Sequence, residues 1–78
     1  MQDENGNPMQ EVIAISATEI QIQSDRGKVW AYKYKGEMHP HWREGLFERQ
    51  KEGWKPLAFA VFKQREGTRL LELIDIKW

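Results

Sequence analysis

The side chains best equipped for chemistry in this 78-residue chain fall in two short stretches. In "EMHPHWRE", His39 and His41 stand two positions apart, with Glu37 and Glu44 nearby. Imidazole and carboxylate both ligate metals, and two histidines at this spacing on an extended segment can turn toward one point. Pro40 separates them, and the chain holds no further histidine and no cysteine. The set is short of strong ligands, so neither a metal nor another cofactor is expected. Nucleophilic catalysis has no support either: Ser16 and Ser24 sit in turn contexts without a motif around them. Glu44 and Glu48 lie four apart, which on a helix makes them neighbours on one solvated face. The glycines are scattered singly and form no phosphate-cradling loop. The expectation is a protein that is not an enzyme.

The second stretch is "GKVWAYKYK", where Trp30, Tyr32 and Tyr34 recur at every second residue and Lys33 and Lys35 fall between or after them. On a strand the three rings share one face. That face is either a stacking platform for nucleic-acid bases or one wall of a core. The turn before it decides which. If Asp25, Arg26 and Gly27 form a three-residue loop, Gly27 takes the left-handed third position that such a loop demands. Ile22 then opposes Trp30, Ile20 opposes Tyr32, and Glu19 opposes Lys33 in a cross-strand ion pair. A two-residue loop would place Arg26 where φ must be positive and would set Lys33 on the apolar face. The three-residue register is therefore expected, with Trp30 and Tyr32 in the core. Tyr34 is expected at the rim with its hydroxyl in water.

These stretches must be positioned by a small framework. Residues 1–8, "MQDENGNP", are polar and turn-rich and read as a flexible N-terminal tail before a single domain at 9–78. "EVIAIS" and "EIQIQS" are short, Ile-rich and mostly alternating, and with "KVWAYKYK" they make an antiparallel meander. Residues 41–53 break the period of two. Trp42, Leu46, Phe47 and Trp54 gather on one helical arc, Pro40 suits a first helical position, and Gly53 suits a C-terminal cap. Gly45 inside the segment costs about 1 kcal/mol of helix propensity. "PLAFAVFKQ" and "RLLELIDIKW" then form a hairpin, with Leu57, Phe59 and Val61 sharing one face and Leu70, Ile74 and Ile76 another. The fold class is mainly β with one short helix. The order β-β-β-α-β-β is that of a small five-stranded antiparallel barrel of the oligonucleotide/oligosaccharide-binding kind, with an SH3-like barrel as the alternative.

Composition narrows the partner. Twelve basic residues balance twelve acidic ones, which argues against bulk DNA or an anionic membrane as the main target. The balance is global and not local: residues 1–24 carry acids alone, whereas in residues 25–35 Arg26, Lys28, Lys33 and Lys35 stand against Asp25 only. No apolar run reaches membrane-spanning length, the start lacks the basic and apolar regions of a signal peptide, and the absence of cysteine suits a cytoplasmic setting. Trp42, Trp54 and Trp78 are more tryptophan than a core this small easily buries. A protein-interaction module or small regulatory subunit is the expected function, with a single-stranded nucleic-acid binder as the alternative. Its surface is expected to combine Arg26, Lys33, Tyr34, Lys35, His41 and Trp42, as aromatic anchors with a basic rim.

Overall fold

A computed structural model describes residues 2–34, 38–68 and 70–78. Five strands and one helix follow the chain as β1 (Met9–Ile15), β2 (Glu19–Gln23), β3 (Val29–Lys33), α1 (Pro40–Lys51), β4 (Phe59–Gln64) and β5 (Leu71–Lys77). They form one antiparallel sheet in the spatial order β3-β2-β1-β4-β5. The first three strands meander, and the fourth returns through the helical connection to lie beside the first, which is the Greek-key arrangement.

The β2–β3 register is the one dictated by the Gly27 turn. Ile22 pairs with Trp30, Ile20 with Tyr32 and Glu19 with Lys33. Gly27 adopts φ 80°, and its N–H donates to the Ser24 carbonyl at 2.9 Å. The expected ion pair is absent: among the described residues Lys33 has no acidic partner within bridging distance, although Glu19 stands opposite.

Two bulges reset which side chains point inward. On β1 the register shifts between Val12 and Ala14, leaving Ile13 without a cross-strand partner. Val12 and Ile15, three apart, both reach the core as a result. On β5, Leu73 pairs with Phe62 and Asp75 with Val61, so Ile74 is the extra residue. Leu71, Leu73 and Ile76 therefore face inward, while Leu70 and Ile74 are exposed. This corrects the face expected from simple alternation. Along β4 and the residue before it, Ala58, Ala60 and Phe62 join the main core; Val61 on the other face is buried as well, and Leu57 is exposed.

The sheet coils strongly. Phe62, fully buried on β4, has the rings of Trp30 and Tyr32 from β3 at centroid distances of 5.3 Å each, though β3 and β4 are not neighbours in the sheet. Burying a side chain of this size contributes roughly 1.5–3 kcal/mol. Trp30 is half-buried, and its indole N–H donates to Gln10 Oε1 at 2.6 Å. The coil brings β3 and β5 close, but no ladder joins them among the described residues, so the sheet is open rather than a closed barrel. The Tyr32 hydroxyl spans the gap, accepting from Leu73 N–H at 3.4 Å.

The helix begins and ends as its sequence dictates. Pro40 opens it, and His39 is the N-cap, with Nδ1 accepting from His41 N–H at 3.1 Å. At the other end Gly53 takes φ 71°. Its N–H donates to Gln50 O, and Trp54 N–H donates to Arg49 O at 2.7 Å, the paired bonds of a Schellman motif. Leu46 is fully buried and Trp42 and Phe47 pack against the core from the same face. Residues 2–8 form a turn of their own: Asp3 Oδ1 accepts from the N–H groups of Asn5 and Asn7, and Pro8 O accepts from Phe62 N–H at 3.0 Å. Among the described residues no helix is long and apolar enough to cross a membrane.

Candidate functional site

The gap between β3 and β5 is the feature that gathers aromatic side chains near the surface. Tyr32, Tyr34, Met38, Trp42, Glu72 and Leu73 line a cleft of about 110 Å³. That is well below the ~300 Å³ and upward of a small-molecule site, and it suits a single side chain. Tyr32 and Leu73 form its two edges through their shared hydrogen bond. Trp42 comes from the first turn of α1, held there by the His39 cap and Pro40, with its ring 5.9 Å from that of His39.

The six residues expected to form one surface separate into groups. Lys33 is exposed on the edge strand β3 beside the cleft, and Trp42 is half-buried within it. Tyr34 differs from expectation. It is 3% exposed, its hydroxyl donates to the Ser16 carbonyl, and only its ring contributes to the cleft floor. The cause is that the β1–β2 turn closes over the end of β3, where Tyr34 N–H also bonds Thr18 O. Arg26 is exposed in the β2–β3 turn, and the strand from Lys28 to Lys33 alone puts about 17 Å between that turn and the cleft. Arg26 is thus not brought to Lys33. His41 is exposed on α1, its ring 6.3 Å from that of Trp78. Lys35 lies outside the described residues.

Sequence reasoning missed Leu73, Met38 and Glu72. Their place in the cleft follows from the Greek-key return that sets β5 near β3, and no local pattern signals it. It also missed the seat of Trp78. That ring lies against α1 at Gly45, where an added Cβ would stand 2.6 Å from the ring edge, with the Arg49 guanidinium 4.4 Å over its centroid. The glycine that weakens the helix is the one that makes room for tryptophan.

The outer face of β2 and β3 carries Gln21, Gln23, Val29, Ala31 and Lys33 and no aromatic ring, because Trp30 and Tyr32 are turned inward. Among the described residues no cluster of three or more histidine, aspartate or glutamate side chains could hold a metal ion. Lys77 has its pKa raised above the ordinary lysine value by a hydrogen bond and charge attraction from Asp75, whose Oδ2 lies 3.1 Å away. Comparisons of the chain with protein-family models, curated proteins and solved structures return no match.

Proposed function

We propose that this chain is a non-catalytic protein-interaction module of a cytoplasmic assembly. The observation that carries the reading is the pair of open strand edges, β3 and β5, set side by side around a cleft sized for one side chain. An open edge offers backbone donors and acceptors to another chain, and a half-covered Trp is a common interface anchor. The near-neutral charge and the lack of an exposed ring on the β2–β3 face weigh against base stacking.

The strand order supports a partly open Greek-key barrel of the oligonucleotide/oligosaccharide-binding type over the SH3-like one, because the helix precedes a fourth strand that returns beside the first. That order favours a second reading, single-stranded nucleic-acid binding through the outer β2–β3 face with Lys33. Affinity capture with and without nuclease separates the two. The interaction reading expects a stoichiometric protein that survives nuclease. Loss of all bound material after nuclease, with oligothymidine binding that weakens steeply with salt, would overturn it.

A further inference from the structure

We propose that the cleft between β3 and β5 is a receptor for one methylated lysine side chain of a protein partner. The inference rests on the protein-interaction reading and adds which side chain of the partner is recognised.

Ring content comes first. Tyr32 belongs to β3, Tyr34 follows that strand, and Trp42 stands in the first turn of α1, yet all three line one cleft of about 110 Å³. The face of an aromatic ring carries partial negative charge, so rings grouped around a small space attract a cation. Both phenol hydroxyls are already engaged. That of Tyr34 donates to Ser16 O, and that of Tyr32 accepts from Leu73 N–H. What the two tyrosines offer an occupant is therefore mainly ring. Met38 and Leu73 complete the lining with apolar surface.

Charge points the same way. Among the described residues Glu72 is the only charged one that lines the cleft, and its carboxylate has no hydrogen-bonded or ion-paired partner. Lys63 stands opposite it on β4 and Arg65 lies beyond, but neither comes within ion-pair distance. Lys33 alternates with the inward Tyr32 and so turns to the outer face; it does not line the cleft. A cationic occupant is the complement of this lining, and an acidic one is disfavoured by Glu72.

Methylation follows from the supply of acceptors. A bare lysine ammonium is strongly hydrated and brings three N–H donors. In the cleft it would exchange its water for one carboxylate and two hydroxyls that are already bonded. A trimethylammonium has no N–H to satisfy. Its methyl groups pack on the rings, Met38 and Leu73, while its charge keeps the attraction to the ring faces and to Glu72. The cleft volume suits the end of one side chain, which is the part of a lysine that carries the methyl groups.

NMR titration tests this. Short glycine–serine peptides are compared that carry one central trimethyllysine, one unmodified lysine, or the neutral tert-butyl isostere of trimethyllysine. The trimethyllysine peptide should shift the Trp42 indole N–H and the Leu73 amide. It should bind about tenfold more tightly than the neutral isostere and more tightly than the lysine peptide. Glu72→Gln, a change at an exposed and unpaired side chain, should keep the fold and weaken the trimethyllysine peptide about threefold. Trp42→Leu should remove the binding; if that variant does not fold, the isostere and Glu72→Gln still decide. Absence of cleft shifts at millimolar trimethyllysine peptide defeats the proposal, and so does a neutral isostere that binds equally. Tighter binding of unmodified lysine would overturn the methyl preference. Tetramethylammonium or oligothymidine that matches the peptide at the same resonances would overturn the protein occupant. Capture of a nuclease-resistant protein partner that the trimethyllysine peptide does not displace would leave the interaction reading standing while this inference fails.

Discussion

The side chain of Gln50 on α1 closes two hydrogen bonds with the backbone of Ile15 on β1: Oε1 accepts from Ile15 N–H at 2.9 Å, and Nε2 donates to Ile15 O at 3.1 Å. β4 pairs with β1 along Met9–Glu11, and the last backbone bond on that side is Val12 N–H to Ala58 O at 2.9 Å, so the end of β1 beyond it has an open edge. Gln50 supplies the missing ladder partner and docks the helix there. Gln50→Ala leaves two part-buried backbone groups unpaired and is expected to cost about 1–3 kcal/mol. Gln50→Glu keeps the acceptor but loses the donor, and should be destabilising as well. Urea denaturation of the two variants and the parent checks this, and an unchanged midpoint for Gln50→Ala would refute it.

Trp30 is expected to separate packing from hydrogen bonding. Trp30→Ala removes a ring seated against Phe62 and should cost about 3–5 kcal/mol, enough to unfold most of a domain this small. Trp30→Phe keeps most of the ring contact and loses the Gln10 bond, for roughly 0.5–1.5 kcal/mol plus the smaller ring volume. Thermal melts that place the two variants together would contradict this division.

Local chemistry made part of this legible in the sequence. The β2–β3 register follows from Gly27 alone, because a turn type fixes how the residues on either side pair. The helix ends follow from Pro40 and Gly53 for the same reason. The bulges at Ile13 and Ile74 were not legible, because a bulge is selected by the packing of the finished sheet. The consequence is visible at β5, where Leu71, Leu73 and Ile76 face the core while Leu70 and Ile74 are exposed. Tyr34 reads locally as a rim residue, and it is buried because Ser16, eighteen positions earlier, accepts its hydroxyl. The cleft itself depends on β5 lying across from β3, a relation between segments far apart in the chain. Of its residues, Tyr32, Tyr34 and Trp42 stand out by type and pattern, though only Tyr34 and Trp42 are expected at the surface.

Gly45 and Trp78 should be coupled. An alanine at position 45 gains about 1 kcal/mol of helix propensity but puts its Cβ into the Trp78 ring. In a Trp78→Ala background Gly45→Ala is expected to stabilise by about that amount. In the parent the gain should vanish or reverse, as the ring is pushed off Arg49. A double-mutant cycle measures the difference directly, and additive effects would show that the ring does not occupy the glycine's space.

Alkaline titration should report the Lys77–Asp75 pair. A cation whose folded-state pKa lies above its unfolded value stabilises the fold fully below the unfolded value, and that contribution disappears as pH rises through the folded one. Lys77 is raised from 10.5, chiefly by its hydrogen bond to Asp75 and next by that carboxylate's charge, with Glu4 adding to it. The window is thus at and above the ordinary lysine range, and neutral pH lies on its plateau. NMR titration of the Lys77 side chain should give a midpoint that falls in Asp75→Asn and falls less in Glu4→Gln. A midpoint indifferent to Asp75→Asn would mean that the pair does not persist in solution.

The two tyrosine hydroxyls make opposite predictions. That of Tyr34 is buried against the Ser16 carbonyl and ties the β1–β2 turn to the end of β3. Tyr34→Phe should cost about 0.5–1.5 kcal/mol and leave the far edge of the sheet undisturbed. That of Tyr32 accepts at 3.4 Å from Leu73 N–H, a length at which a hydrogen bond contributes little. Tyr32→Phe keeps the ring on Phe62 and should lower stability by less than about 0.5 kcal/mol. Its effect should be local: Leu73 loses the acceptor that spans the gap between β3 and β5, and its amide should exchange faster while that of Glu72, facing β4, keeps the parent rate. Denaturation and residue-resolved exchange on both variants separate the roles. If Tyr34→Phe alone quickened Leu73, Tyr32 would not bridge the gap between β3 and β5; if Tyr32→Phe were the more destabilising, its hydroxyl would be a structural tie of the core.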